Sequence, residues 1–353
     1  MKILVLPGDG IGPEITDATV RVLHALDERF GLRLELDTEQ IGLATLETEG
    51  TTLPQRVLTK VPQADGTILG PVSHFDYPPR AQGGINQSAE LRVVFKLYAN
   101  VRPSRSLPGF SVLREPMDLV IVRENTEGFY SDRNMHVGPG EFMPDPDTAM
   151  SIRKITRRAS TSVARAAFEL ARTRRQKLTV VHKANVLKLS DGFWLECVRE
   201  VAAEYPDVEL RPLIVDATAA RLVKSPAEFD VLVTTNMFGD ILSDEASELS
   251  GSLGLGGSIN VGADVCVAQA QHGSAPDIAG QGIANPVSLI RSAGMLLDWF
   301  GHRAGRDELV RAARLLDERV DAVLADPATR TRDLGGSLGT AEFTDALLAR
   351  LPH

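Results

Sequence analysis

The chain of 353 residues contains few cysteines, few aromatic residues and fewer basic than acidic side chains. Its two cysteines, Cys197 and Cys266, are too few for a disulfide framework or a multi-cysteine metal site. The formal net charge of −9 argues against nonspecific binding to nucleic acid or anionic lipid. No apolar run reaches the roughly 18 residues that a membrane helix needs, and the apolar run within 1–6 is too short for a signal peptide. These absences predict a cytoplasmic protein that binds neither nucleic acid nor membranes.

The order of the apolar segments predicts an α/β fold. A chain of this length exceeds one ordinary hydrophobic core, so two domains are expected. Short apolar runs alternate with amphipathic segments, which is typical of α/β proteins. A helix is predicted at 152–173, and its basic residues are interpreted as a solvated face because no aromatic residues form a stacking surface between them. Strands are predicted at 3–6, 67–69, 119–122, 178–181 and 228–235.

A glycine-rich stretch, Gly8-Asp9-Gly10-Ile11-Gly12, directly follows the first predicted strand. Its spacing is G-x-G-x-G, whereas the dinucleotide-binding fingerprint is G-x-G-x-x-G. Pro13 occupies the position at which the third glycine of that fingerprint would allow close helix packing. The stretch therefore does not predict a Rossmann site.

Two aspartates stand four residues apart in the segment 236–244. On a helix this spacing places Asp240 and Asp244 on one face, where the two carboxylates repel each other unless a positive charge lies between them. The preceding segment 228–235 is predicted as a buried strand, so the pair lies where α/β proteins keep their ligands. Such a pair on a helix is more often a solvated face, but the remaining motifs favour a site for a divalent cation.

Three arginines form a second motif. Arg102 and Arg123 are each expected just after an apolar strand, and Arg92 lies on a predicted helix. Forked guanidiniums bind carboxylates through two hydrogen bonds, so three of them indicate a di- or tricarboxylate substrate. The alternative for any one of them is an ordinary surface arginine.

A tyrosine and a lysine are candidates for proton transfer. Lys183 follows the predicted strand 178–181 and is a candidate base, and Tyr130 is a candidate proton donor. On spacing alone, structural roles for both remain open.

The segment 272–285 is rich in small residues and carries one acid, Asp277. The adenosine half of a dinucleotide needs such a loop. A carboxylate accepts hydrogen bonds from ribose hydroxyls and repels a 2′-phosphate. The loop therefore favours NAD over NADP.

These segments together resemble the β-decarboxylating dehydrogenases, the family of isocitrate, homoisocitrate, isopropylmalate and tartrate/D-malate dehydrogenases. The resemblance extends from Leu6 to Gly336. It implies the two-domain α/β fold of the isocitrate/isopropylmalate dehydrogenases, with a mostly parallel sheet unrelated to the Rossmann fold. It also implies a larger cofactor-binding domain of 1–100 and 253–353, and a smaller domain of 101–252 that carries the dimer interface and an arm at about 128–150. A homodimer with shared active sites, or a higher oligomer that contains it, is expected.

The resemblance also implies a role for each candidate residue. Lys183 would act as base and Tyr130 as proton donor. Substrate would be bound by Arg92, Arg102, Arg123, Asn86 and Ser88. Mg²⁺ or Mn²⁺ would be bound by Asp240 and Asp244 together with Asp216, which, like Lys183, would come from the other subunit. NAD would contact His272, Gly273, Ala275, Asp277, Ile278, Asn285 and Asp333.

Members of this family differ in the C3 substituent of a malate core. Asn86 and Ser88 stand where isocitrate enzymes carry a serine and an asparagine, so isocitrate or homoisocitrate is expected ahead of D-malate/tartrate or 3-isopropylmalate. A noncatalytic regulatory subunit is the further alternative, although the catalytic and metal positions are all present.

Two departures from the family pattern stand out. Gln269 replaces an acid that normally orients the nicotinamide end. The segment 73–80, with Arg80 as a candidate carboxylate ligand, matches no branch of the family.

Overall fold

The computed structural model describes residues 1–107, 109–130 and 135–351. Its strands are β1 Lys2–Leu6, β2 Glu35–Thr38, β3 Gly66–Leu69, β4 Ala99–Arg105, β5 Asp118–Glu124, β6 Glu141–Asp145, β7 Thr148–Ser151, β8 Lys177–His182, β9 Glu209–Ile214, β10 Val231–Thr234, β11 Ile259–Val261 and β12 Cys266–Gln269. Its α-helices are α1 Gly12–Phe30, α2 Leu43–Glu49, α3 Gln55–Lys60, α4 Gln87–Val94, α5 Arg157–Arg172, α6 Ser190–Ala202, α7 Val215–Lys224, α8 Asn236–Ser250, α9 Val287–Ala304, α10 Asp307–Ala325 and α11 Thr340–Leu348.

The chain divides into two compact units. Unit 1 comprises residues 1–95, 107–109 and 253–353, and its strands are ordered β2-β1-β3-β12-β11. All of these neighbours are parallel except β11 and β12. Helix α9 packs on β12 and against α10. The apolar run of β1 is buried because it lies between β2 and β3 in this layer.

Unit 2 comprises residues 96–106 and 110–252, with strands in the order β4-β5-β10-β8-β9. Only β4 and β5 pair antiparallel in this series. Alternate residues of β5 point to opposite faces, as the pleat requires. Val120 and Val122 enter a core with Phe168 and Trp194 of α5 and α6, and residues such as Ile121 enter a second core under α7 and α8. The predicted α/β class with a mostly parallel arrangement is confirmed.

The helix predicted at 152–173 begins later than expected. Helix α5 starts at Arg157, because the Thr156 hydroxyl accepts a hydrogen bond from the Ala159 amide and forms an N-cap. The segment 148–151 before it is strand β7, paired antiparallel with β6. Both of these strands lie in the predicted arm at 128–150, of which 131–134 are outside the described residues.

The basic residues of α5 face acidic residues of α6 and of the turn after it. Exposed ion pairs join Arg157 to Glu196 and Glu200, and Arg165 to Glu204. Such surface pairs contribute little to stability. They do balance the positive charge on the exposed face of this helix. Within the described residues, no helix combines the length and apolar character that crossing a bilayer requires.

Helix α8 lies unusually close to strand β5 at Gly239. A Cβ atom added to this glycine would stand 2.6 Å from both Cβ and Cγ of Arg123. Gly239 is therefore the residue that lets the helix backbone cover the Arg123 side chain. The strand before the helix, Val231–Thr234, is shorter than the predicted 228–235 because Pro226–Glu228 forms a 3₁₀ turn.

Replacing Gly239 by alanine should force the helix and Arg123 apart. We expect the free energy of unfolding to fall by about 1–3 kcal/mol, which is typical of overpacking a tight contact. Urea denaturation followed by circular dichroism measures this change. Gly192→Ala is the matched control, since the space around Gly192 of α6 is open and alanine favours helix by up to about 1 kcal/mol. Equal losses in the two variants would contradict the close-contact interpretation.

Candidate active site

Arg102 and Arg123 lie side by side beneath helix α8. Both arginines were predicted to follow apolar strands, and this detail is wrong. Arg102 lies inside β4 and Arg123 inside β5, because the antiparallel ladder continues past the apolar run to pair Ala99 with Glu124. Asn100 stands opposite Arg123, and Arg102 stands opposite Ile121, so both guanidiniums are on one face. Both residues are buried, with exposed fractions of 7% and 2%.

The Arg123 guanidinium makes contacts with three residues of unit 2. Its Nε and Nη2 atoms donate to Oδ1 of Asn236 at 2.9 and 2.7 Å. Its Nη1 atom donates to Oδ1 of Asp240. Its Nη2 atom also donates to the Tyr130 hydroxyl at 2.8 Å. These charge-assisted bonds fix the first turn of α8 over strand β5.

The Tyr130 hydroxyl lies between a cation and an anion. It accepts from Arg123 and donates to Oδ2 of Asp240 at 2.7 Å. The predicted proton donor, one predicted substrate arginine and one predicted metal ligand are thus within direct hydrogen-bond distance of one another.

Arg102 makes a parallel set of contacts one turn further along the helix. It donates to Asn100 at 2.6 Å, to the Ser243 hydroxyl at 2.8 Å and to Oδ1 of Asp244 at 2.9 Å. Burial lowers the pKa of Arg102, and the adjacent Arg123 charge lowers it further. Burial also raises the pKa of Asp244, against the opposing effect of Arg102. Two cations and two anions therefore balance in one partly buried cluster.

Two glutamates shape the loop between Arg123 and Tyr130. The Glu124 carboxylate accepts from the amide and hydroxyl of Thr126, both at 2.6 Å. The Glu127 carboxylate accepts from the amide of Thr156 at 2.6 Å and from its hydroxyl at 2.8 Å. Burial, followed by repulsion from Glu124, raises the pKa of Glu127 to about 7. These acids hold the loop that places Tyr130.

Lys183 and Asp216 form a separate pair in unit 2. Lys183 follows β8, Asp216 lies in the first turn of α7, and the lysine Nζ donates to Oδ1 of the aspartate at 2.5 Å. This bond lowers the pKa of Asp216. Among the described residues no three or more histidine, cysteine or acidic side chains gather as a metal site. Asp216 therefore does not join Asp240 and Asp244 within one chain.

The predicted substrate-reading residues lie on helix α4 of unit 1. Asn86 is the N-cap of this helix and accepts from the Ala89 amide at 3.1 Å. The Ser88 hydroxyl donates to Oε1 of Gln269 at 2.9 Å, whereas Arg92 lies in the last turn. Arg80, a candidate carboxylate ligand, instead forms a forked ion pair with Glu90 of the same unit.

The predicted cofactor residues lie on two loops of unit 1. Asn285 donates to the Asp333 carboxylate at 3.0 Å and accepts from the Val287 amide at the start of α9. Nδ1 of His272 is 3.0 Å from the carbonyl of Gly273. Ala275 adopts a left-handed conformation that turns the chain into the short helix Pro276–Ile278, which contains Asp277 and Ile278.

Asp9 organises this region and was missed by the sequence analysis. Its buried carboxylate accepts from the Leu43 amide at 2.7 Å, the Ser73 amide at 3.0 Å and the Tyr77 hydroxyl. The Ser73 hydroxyl in turn donates to that of Ser274 at 2.8 Å. The unusual segment 73–80 is thereby tied to the predicted cofactor loop. An acid between two glycines after a buried strand is the signal that could have indicated this role.

The chain matches the isocitrate/isopropylmalate dehydrogenase family over residues 2–347. It belongs to this family. It is 42% identical to an isocitrate/homoisocitrate dehydrogenase of Thermus thermophilus and 41% identical to a 3-isopropylmalate dehydrogenase of Methanothermobacter thermautotrophicus, with 99% of this chain and 98% of each relative covered. It is also similar to the structure of isocitrate dehydrogenase from Methylococcus capsulatus, with a TM-score of 0.86, 41% identity and coverage of 100% of this chain and 99% of that one.

Membership in the isocitrate/isopropylmalate dehydrogenase family makes this protein an oxidoreductase of the β-decarboxylating class, as its resemblance predicted. Enzymes of this family use a nicotinamide cofactor and a divalent metal. The residues present fit both groups. Asp240 and Asp244 offer oxygen ligands on adjacent turns of α8. In the cofactor loop, the buried Nε2 of His272 has no hydrogen-bond partner within the described residues.

The high pKa of Glu127 should make the stability of this family member depend on pH. Because the folded-state pKa of about 7 exceeds the ordinary 4.5, this contribution to stability is complete below about pH 4.5 and is lost as pH rises through 7. The stability of Glu127→Gln relative to the wild type should therefore rise by about 2 kcal/mol between pH 5 and 8. Urea denaturation across that range measures the difference. Exposed Glu169→Gln is the control, and a constant difference for Glu127→Gln would contradict the assignment.

Proposed function

We propose that this enzyme catalyses the NAD-dependent and divalent-metal-dependent oxidative decarboxylation of a 3-substituted (2R)-malate, with isocitrate or homoisocitrate preferred. The observation that carries the proposal is the cluster of Arg102, Arg123, Tyr130, Asp240 and Asp244. The cluster combines two buried guanidiniums that can bind carboxylates with two aspartates that can bind a cation. The Tyr130 hydroxyl lies between Arg123 and Asp240.

Each residue of the cluster has a chemical role in this proposal. The forks of Arg102 and Arg123 bind the carboxylates of the malate core, joined by Arg92. Asp240 and Asp244 would hold Mg²⁺ or Mn²⁺. The bound cation would supply polarisation of the C2 oxygen, and the nicotinamide would supply the acceptor for the C2 hydride. Tyr130, whose hydroxyl already bridges Arg123 and Asp240, delivers a proton to C3 after CO2 has left.

Lys183 accepts the proton of the C2 hydroxyl. The Asp216 carboxylate at 2.5 Å holds the lysine side chain in place. We place both residues in the active site of a homodimer, where the partner subunit's Lys183 would be the base and the partner's Asp216 would complete the metal ligands. The lack of a three-acid cluster among the described residues of one chain supports this arrangement.

The pair of Ser88 and Gln269 supports a substrate with a carboxylate on its C3 substituent. The serine hydroxyl donates to the amide oxygen of Gln269, which leaves the amide N–H groups as donors. A glutamate in place of Gln269 would repel a substrate carboxylate near Ser88, whereas an amide can bind it. An isopropyl group would instead bury the Gln269 amide N–H groups without an acceptor, at a cost of about 1–3 kcal/mol.

Asp277 supports the use of NAD. Its side chain is exposed at the end of the loop that carries His272. Its backbone carbonyl accepts a hydrogen bond from the side-chain amide of Gln281 at 2.9 Å. The carboxylate can therefore accept hydrogen bonds from ribose hydroxyls and repel the 2′-phosphate of NADP. Gly273, Asn285 and Asp333 line the same loops.

Loss of either proton-transfer group should remove most turnover. We expect Tyr130→Phe and Lys183→Ala each to lower kcat by about 10²–10⁴-fold, the usual contribution of general acid–base catalysis. Reduction of NAD in the presence of Mn²⁺ measures kcat, and circular dichroism checks the fold. Tyr205→Phe and Lys224→Ala serve as matched controls, because Tyr205 packs on Phe168 and Lys224 is exposed. An unaltered kcat in Tyr130→Phe or Lys183→Ala would exclude that residue from the role proposed.

A substrate panel tests the proposed function directly. Isocitrate, homoisocitrate, 3-isopropylmalate, D-malate and tartrate are compared by kcat/KM with NAD and NADP. We expect isocitrate or homoisocitrate to lead with NAD, and chelation by EDTA to abolish turnover until Mn²⁺ is restored. Gln269→Glu should lower kcat/KM for the tricarboxylate at least tenfold and for D-malate less than threefold. A preference for isopropylmalate, D-malate or tartrate would contradict the substrate, and activity without a divalent cation would contradict the metal site.

A further inference from the structure

We propose that a buried ion pair between Asp191 and Arg153 is a positioning device that holds the main chain of Lys183. The inference rests on the proposed role of Lys183 as the base. Neither Asp191 nor Arg153 touches the substrate in this proposal. Both act through the peptide amide of the lysine.

Asp191 lies in the first turn of α6 and has no exposed surface. Its Oδ2 atom accepts a hydrogen bond from the Lys183 amide at 2.5 Å. Its Oδ1 atom accepts from Nη1 of Arg153. One carboxylate therefore joins the base-bearing turn to a cation, and the adjacent helix N-terminus favours its negative charge.

Arg153 is itself fixed on several sides. Its side chain is 7% exposed and lies over two aromatic rings, with Cζ 5.4 Å from the ring centre of Phe129 and 5.2 Å from that of Phe238. Its Nη2 atom donates to the Thr235 hydroxyl at 2.9 Å. A planar guanidinium with aromatic and hydrogen-bond contacts keeps one orientation, which a lysine would not.

The turn that carries Lys183 depends on side-chain acceptors. The amides of Val186 and Leu187 donate to the Lys183 carbonyl at 3.0 and 2.8 Å, so backbone hydrogen bonds alone close the turn after Lys183. On its other side Asp191 accepts from the Lys183 amide, and Nδ1 of His182 accepts from the Ala184 amide at 3.1 Å. The direction in which the Lys183 side chain leaves the backbone therefore follows from the Asp191 contact.

A role in stability alone does not explain this arrangement. Buried ion pairs are often no more stabilising than apolar residues of similar volume, because both charges lose their hydration. The carboxylate does provide an acceptor for the Lys183 amide, which an apolar residue lacks. A positioning role therefore requires an acceptor at residue 191, whereas a purely structural role requires only a residue that fills the same volume.

Two double variants isolate the acceptor. Arg153→Met/Asp191→Asn and Arg153→Met/Asp191→Leu both remove the ion pair without leaving an unpaired buried charge. Only the first keeps an oxygen that can accept from the Lys183 amide. We expect kcat of the Met/Leu variant to be at least tenfold below that of the Met/Asn variant. KM for isocitrate and for NAD should differ less than threefold between them.

Amide hydrogen exchange at Lys183, measured by NMR, gives a readout that does not depend on activity. Exchange should be at least tenfold faster in the Met/Leu variant than in the Met/Asn variant. Equal kcat values and equal exchange rates would overturn the proposal. If Lys183→Ala is as active as the wild type, Lys183 is not the base and that part of the proposed function is wrong. The exchange rates still show whether Asp191 holds the Lys183 amide.

The wild-type enzyme provides a second measurement should the Met/Leu variant not fold. The Lys183 amide should exchange at least a hundredfold more slowly than an unstructured amide, because a buried charged acceptor holds it. Exchange at the unstructured rate would overturn the proposal without any variant.

Discussion

The contact between the Arg123 guanidinium and Asp240 of α8 is the constraint on which the candidate site depends. A buried cation requires a partner, since an uncompensated buried charge costs several kcal/mol. Asp240 can reach it only because Gly239, the residue before it, lets the helix approach the Arg123 side chain. The same guanidinium orders Asn236, whose amide donates to the Glu127 carbonyl at 2.9 Å, and the Tyr130 hydroxyl. The packing of α8 on β5 therefore fixes the positions of Asn236, Asp240 and Tyr130 together.

Charge balance explains why arginines and aspartates are mixed within the site. Asp240 and Asp244 would repel each other on one helix face if no cation stood near, and Arg102 and Arg123 repel each other on neighbouring strands. In the proposed function, a substrate carboxylate bound by the guanidiniums would release the aspartates, and a divalent cation bound by the aspartates would release the guanidiniums. Each ligand therefore compensates the charge that the other leaves unpaired, so their binding is expected to be coupled.

Local patterns made much of this site predictable from sequence. The four-residue spacing of Asp240 and Asp244 needs only helical geometry, and the burial of 119–122 needs only an apolar run. The same reasoning failed at element boundaries. Arg102 and Arg123 were placed after strands because polar residues usually end them, yet both remain in the ladder, where partly exposed aspartates of α8 pair with them. Helix α5 began late because its Thr156 cap bonds Glu127, which lies 29 residues earlier.

Contacts between distant residues explain what could not be predicted. Ser88 and Gln269 are 181 residues apart, and Arg153 and Asp191 are 38 apart, so no local period relates either pair. In the sequence, Gln269 is recognised only as a position where an acid is missing. The structure shows that its side-chain oxygen instead accepts a hydrogen bond from Ser88. Asp191 looks like an ordinary helix-start acid, since such residues are common in first turns for electrostatic reasons. Its complete burial shows that it instead serves two donors from other elements. Distant pairs of this kind add contacts to a candidate site whose proposed metal and substrate ligands follow from local sequence patterns.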